Sequence, residues 1–141
     1  MSARSMSSTG AALAAFAVAG LLAAGCGGGG GGSSNNSSKT VTVTAPAGGG
    51  TATVTIEAHD VFFNVTKINA PAGKLDIHYV EKGSQQHTLV IDGVKGFKLE
   101  VGPSSSSDDG TVTLAPGSYT YYCTIPGHRA QGMQGTITVA S

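Results

Sequence analysis

No sign of charge dominates this chain, and no part of it is heavily charged. Its 141 residues carry 8 Lys and Arg against 8 Asp and Glu, a formal net charge of zero. The basic residues are not clustered, so the electrostatic footprint of a nucleic-acid-binding protein is missing. No Walker-type or dinucleotide-type glycine pattern follows a strand, which removes the familiar phosphate cradles. No helical period of useful length and no internal repeat is present. Sulfur is scarce as well. The 2 Cys are Cys26 and Cys123, and of the 3 Met only Met133 lies outside the first ten residues.

The one long apolar run, residues 11–24, follows the single charge Arg4. It is too short to span a bilayer comfortably and has the shape of a secretory signal. Arg4 stands alone, so general secretory export is expected rather than the twin-arginine route. The run ends in Leu22-Ala-Ala-Gly-Cys26, which resembles a bacterial lipoprotein box with Cys26 as the lipidated residue. Two other readings of Cys26 stand beside this one: half of a disulfide with Cys123, or a free thiol left by cleavage elsewhere. Six glycines follow Cys26 directly, a poor setting for a specific bridge geometry. From there to Gly50 the chain is rich in Gly, Ser, Asn and Thr and reads as a tether, with Val41-Thr-Val43 as linker or fraying edge. The expected organisation is a signal segment over 1–25, a lipidated Cys and flexible linker over 26–50, and one small folded domain over 51–141.

Within that domain the apolar residues alternate with a period of two between Gly and Pro turns. Val54 and Ile56 share a face, as do Leu75, Ile77 and Tyr79, while Asp76 and His78 point the other way. His87, Leu89 and Ile91 fall together, and Thr111-Val-Thr-Leu114 and Thr136-Ile-Thr-Val-Ala140 repeat the pattern. Turn signals stand at Pro71-Ala-Gly73, Lys82-Gly83, Asp92-Gly93, Asp109-Gly110, Pro116-Gly117 and Pro126-Gly127. Short strands at this spacing predict an all-β fold, a Greek-key sandwich or barrel. Tyr119, just after Pro116-Gly-Ser, stands either as a tyrosine corner or as an ordinary core aromatic. By alternation Tyr119, Tyr121 and Cys123 face inward and Tyr122 outward.

The chemistry gathers in Cys123-Thr-Ile-Pro-Gly-His128-Arg-Ala-Gln-Gly-Met133. A thiolate, an imidazole and a thioether lie on one short loop, and His87 supplies a second imidazole. Two His, one Cys and a weak Met form the donor set of a blue-copper electron-transfer site. The same residues admit other readings. Cys123 and His128 could be a nucleophile and its base, but no oxyanion element or acidic orienter is evident. A structural zinc site wants four N or S donors without a thioether. Met133 could fill the core. A two-copper site needs a second Cys in the loop, and Gly127 occupies its place. His59, beside Asp60, reads as a strand-end or surface residue, and His78 as solvated.

Tyr121-Tyr-Cys-Thr-Ile-Pro-Gly-His128 with Gly132-Met133 and Gly135 resembles the ligand loop of the plastocyanin/azurin family of cupredoxins. Gly83-Ser-Gln-Gln-His87-Thr-Leu-Val-Ile91 is similar to the segment carrying that family's first His. The resemblance implies one type 1 copper ion, with His87, Cys123 and His128 as in-plane ligands and Met133 as the axial one. Glu81 stands where the family often has Asn before Lys-Gly, and Thr88 where Asn often follows the His. Ile125 keeps an N–H able to reach the sulfur. The implied function is a shuttle of single electrons between extracytoplasmic redox partners, with no enzymatic activity of its own. His128 would be the portal, ringed by Ile125, Pro126 and Gly127 with Val94 and Phe97, and Tyr122 a second exit. A copper-delivery lipoprotein without electron transfer is the alternative, and a ligand-binding sandwich with incidental Cys and His a third. The expected form is a monomer that is exported, periplasmic or at the cell surface, held to the membrane by its lipid anchor and meeting its redox donor and acceptor transiently.

Overall fold

Ten strands follow one another in the computed structural model, which describes residues 39–141. They are β1 (Thr40–Thr42), β2 (Ala52–His59), β3 (Phe62–Phe63), β4 (Lys67–Pro71), β5 (Gly73–Glu81), β6 (His87–Ile91), β7 (Lys98–Val101), β8 (Ser107–Leu114), β9 (Gly117–Tyr122) and β10 (Gln134–Ala140). No α-helix occurs among the described residues. The expected signal segment, Cys26 and the first part of the tether lie outside them.

The strands form two sheets, a six-stranded one ordered β1-β4-β10-β9-β6-β7 and a four-stranded one ordered β3-β2-β5-β8. Pairing is parallel for β1 with β4, β4 with β10 and β2 with β5, and antiparallel elsewhere. The alternation read from sequence is what the sandwich buries. Val54, Ile56 and Ala58 of β2 and Leu75, Ile77 and Tyr79 of β5 are all at most 3% exposed. Leu89, Ile91, Tyr121, Ile137 and Val139 of the larger sheet are buried in the same core cluster. Removing such side chains from water is the main favourable term for folding. Tyr119 donates its hydroxyl hydrogen to the carbonyl of Ala115 at 3.0 Å, which makes it a tyrosine corner.

Two stretches differ from the sequence reading. Thr40–Thr42, read as linker or fraying edge, is a sheet strand in register with Lys67–Asn69 of β4. The 26–50 tether therefore contains a piece of the sandwich, with Val41 and Val43 packed against the core. The second is Asp109-Gly110, read as a turn. Strand β8 runs straight through it, pairing His78 with Asp109 and Ile77 with Gly110. Gly110 is needed here for close approach, since a Cβ would come within 2.8 Å of Leu99 Cδ2 and 3.0 Å of Phe97 Cε2. A glycine that lets a neighbour pack closely and one that permits a turn look alike in one dimension.

Candidate metal centre

The β5–β6 connection and the loop after β9 meet because β6 and β9 are neighbours in the larger sheet, with Val90 opposite Tyr122. His87 opens β6, and Cys123 follows directly on β9. The loop beyond Cys123 is wound on itself by backbone hydrogen bonds. Cys123 N–H donates to the carbonyl of Met133 at 3.1 Å, Met133 N–H to that of His128 at 3.0 Å, and His128 N–H to that of Ile125 at 3.1 Å. Cys123, His128 and Met133 are thus tied by their main chains, and Met133 is fully buried.

The side chains converge. Donor atoms of His87, Cys123 and His128 all lie within 4.8 Å of one another. Cys123 Sγ is 3.6 Å from His128 Nδ1, and the two imidazole rings sit 5.1 Å apart at 49°. The three residues are 0%, 1% and 7% exposed for His87, Cys123 and His128. Burial holds the His87 imidazole below its ordinary value, with His128 pushing the same way and Glu81 and Asp60 opposing. His87 is thereby kept neutral, the form in which imidazole binds metal.

Both ring nitrogens of His87 are buried without a hydrogen-bond partner among the described residues. Leaving polar atoms dry and unpaired is costly unless something else binds them. A metal between His87, Cys123 and His128 removes that penalty at one nitrogen, so the residues fit a metal ion. Two imidazoles with a thiolate, beside a buried thioether residue, suit copper. They fall short of the four N or S donors of a structural zinc site. A nucleophile-and-base reading of Cys123 and His128 meets a barrier of access, because the thiol is closed off from solvent.

Thr88 supplies the sulfur's hydrogen-bond environment. Its N–H lies 3.4 Å and its Oγ1 3.7 Å from Cys123 Sγ. Thr88 Oγ1 also accepts the N–H of Thr124 at 2.7 Å and meets Thr124 Oγ1 at 2.8 Å. The expectation that Ile125 N–H would reach the sulfur is replaced by this contact from the neighbouring strand. Thr88 alternates with His87 and Leu89 along β6, yet it is only 2% exposed, closed in by Cys123 and Thr124 of the donor loop. The available signal was a small polar residue between His87 and the apolar run Leu89-Val-Ile91.

Other candidates stand apart. His59 ends β2 and stacks on Phe62 at 4.7 Å, and His78 pairs with Asp109 at 2.5 Å on the outer face of the smaller sheet. Val94 and Phe97 belong to the turn at the end of the β6–β7 hairpin opposite His87, so they do not ring His128. Sequence reasoning missed that Arg129 lies 3.9 Å above the Tyr122 ring and 3.5 Å from Asp92, covering the side chain next to Cys123.

The chain is similar to several known proteins. Auracyanin-B of Chloroflexus aurantiacus is 50% identical over 38 residues, a match covering 25% of this chain and only 16% of that relative. Reduced auracyanin from Roseiflexus castenholzii superposes with a TM-score of 0.56 at 24% identity, over 63% of this chain and 97% of that one. Rusticyanin from Thiobacillus ferrooxidans gives 0.53 at 24% identity, over 70% of this chain and 82% of that one. At such identity these structures bear on the fold alone, and the fold is the cupredoxin sandwich. The family model for copper binding proteins of the plastocyanin/azurin family matches residues 33–140, which include every strand and the whole donor loop, and the chain belongs to that family.

Proposed function

We propose that the protein is a type 1 copper protein carrying single electrons, with His87, Cys123 and His128 as the strong ligands and Met133 as the weak axial one. The observation that carries this reading is the buried convergence of His87, Cys123 and His128 donors within 4.8 Å, with His87 otherwise unpartnered. Copper held there supplies a one-electron couple. The residues do the rest. His87 is held by β6, and Cys123, His128 and Met133 by the backbone bonds of their own loop, so the donors resist rearrangement on a change of oxidation state. Thr88 directs an N–H and a hydroxyl at the sulfur, and such contacts tune a thiolate's donor strength.

His128 alone of the three strong donors approaches the surface, flanked by half-buried Ile125 and exposed Pro126 and Gly127. This uncharged rim suits a brief encounter with a redox protein, since small contacts release quickly. A copper-delivery role fits less well, because donors this buried exchange metal slowly with a partner. A chelator that stripped copper within seconds would favour delivery. The N-terminal sequence supports export with lipidation at Cys26, and lipid labelling lost in Cys26→Ser tests it. The domain is proposed to act as a monomer, checked by sedimentation.

The central test is optical. Copper(II) added to the metal-free protein should give an intense visible thiolate-to-copper band. Cys123→Ser should abolish it, and His78→Ala, on the far sheet, should leave it unchanged. A colourless wild-type protein that still folds would sink the proposal.

A further inference from the structure

His87 has a second neighbourhood that the copper ligands do not account for. Oxygens of Asp60 and Glu81 and a ring nitrogen of His87 also lie within 4.8 Å of one another. An imidazole bound to metal through one nitrogen turns the other, as an N–H, away from the metal. That N–H needs an acceptor, and the structure offers few. Asp60 is already engaged, accepting from Ser84 N–H and Gln85 N–H on Oδ1 and from Ser84 Oγ on Oδ2. Glu81 is engaged at one oxygen only. Its Oε1 accepts Gly83 N–H at 2.5 Å, while Oε2 is buried with no partner.

Glu81 is also well fixed. It is the last residue of β5, opposite Ala58 of β2, and its N–H donates to the carbonyl of Ser106 at 2.8 Å. The next residue, Lys82, donates its N–H to the carbonyl of Ala58 at 2.8 Å. A carboxylate on a strand end held from both sides can orient an imidazole with little loss of side-chain freedom.

We propose that Glu81 is a positioning residue for the copper site: its Oε2 accepts the remote ring N–H of His87 and fixes the tautomer and tilt with which His87 meets the metal. This rests on the reading of His87 as a copper ligand. Two buried, unpartnered polar groups are thereby satisfied by each other. An anionic acceptor behind a metal-bound imidazole raises its basicity. It therefore favours copper(II) over copper(I) and holds the reduction potential down.

Glu81→Gln tests the idea, because an amide oxygen can still accept Gly83 N–H while the negative charge is lost. The variant should keep the blue band and bind copper(II) about tenfold less tightly relative to copper(I), a rise of about 59 mV in a one-electron potential. A potential equal to that of wild type would overturn the proposal and leave the copper site standing. A wild type that binds no copper would overturn both. Should the variant fail to fold, nitrogen NMR of the wild-type copper(I) protein decides the matter. One protonated, slowly exchanging His87 ring nitrogen is expected, and a fast-exchanging one refutes the assignment.

Discussion

Thr88 makes four of the contacts that close the copper site, and they belong to one short side chain and its amide. Replacing its hydroxyl by a methyl keeps the shape but leaves Thr124 N–H without its acceptor. Thr88→Val should therefore destabilise the metal-free protein by about 1–3 kcal/mol, read by urea unfolding. The blue band should persist, shifted in energy, because Thr88 N–H still reaches the sulfur. His87 carries a pH signature in the metal-free protein. Its folded value is depressed below 6.5, chiefly by burial. The unfolded chain therefore binds a proton that the folded chain refuses, between 6.5 and the lower folded value. Stability is intact above 6.5 and should fall as pH drops through that window. A Tm-against-pH profile should show a shallower slope in His87→Leu. An equal slope would place the proton uptake elsewhere.

At the scale of elements, strand pairs depend on where side chains are absent. Gly135 of β10 stands opposite Tyr121 of β9, and a Cβ there would run into the Tyr121 ring. That ring cannot move freely, since its hydroxyl is bonded to the carbonyl of Val65 and the ring packs on Phe63 at 5.4 Å. Gly135→Ala should cost about 1–3 kcal/mol by overpacking. Thr138→Ala, exposed on the same strand, should change stability by less than about 0.5 kcal/mol. Denaturant midpoints compare the two. The β2–β3 turn is joined to the loop before β6 by Asp60, whose carboxyl lies below its ordinary 3.8 through the N–H and hydroxyl of Ser84. The hold on the segment leading to His87 should accordingly be present above 3.8 and weaken as pH falls below it.

Across the whole molecule the copper site is a product of long-range pairing, since Thr88 and Cys123 meet 35 residues apart in sequence. The same is true of β1, which joins the sandwich through β4 alone. A chain starting at Gly50 loses Val41 and Val43 from the edge of the core and uncovers the free side of β4. It should be less stable than the full chain by about 1–3 kcal/mol, the order of burying those two side chains in part. Heat unfolding of both chains checks this, and equal Tm values would return β1 to the tether.

The sequence makes legible the strands whose apolar residues alternate, because a period of two reports one covered face wherever the other faces water. It also determined the donor loop from Cys123 to Met133, because a turn rich in Pro and Gly can place only a few nearby side chains together. What depends on a neighbour is set in three dimensions. Thr88 is buried because Cys123 and Thr124 of the donor loop close over it. Asp109-Gly110 continues a strand because β5 pairs with it and Leu99 presses close. Val41 and Val43 are folded because β4 offers an open edge. Glu81 faces His87 because β5 ends where β6 begins its approach to β9. All but the last are contacts between segments distant in the chain, and hydropathy along one strand carries no information about its partner.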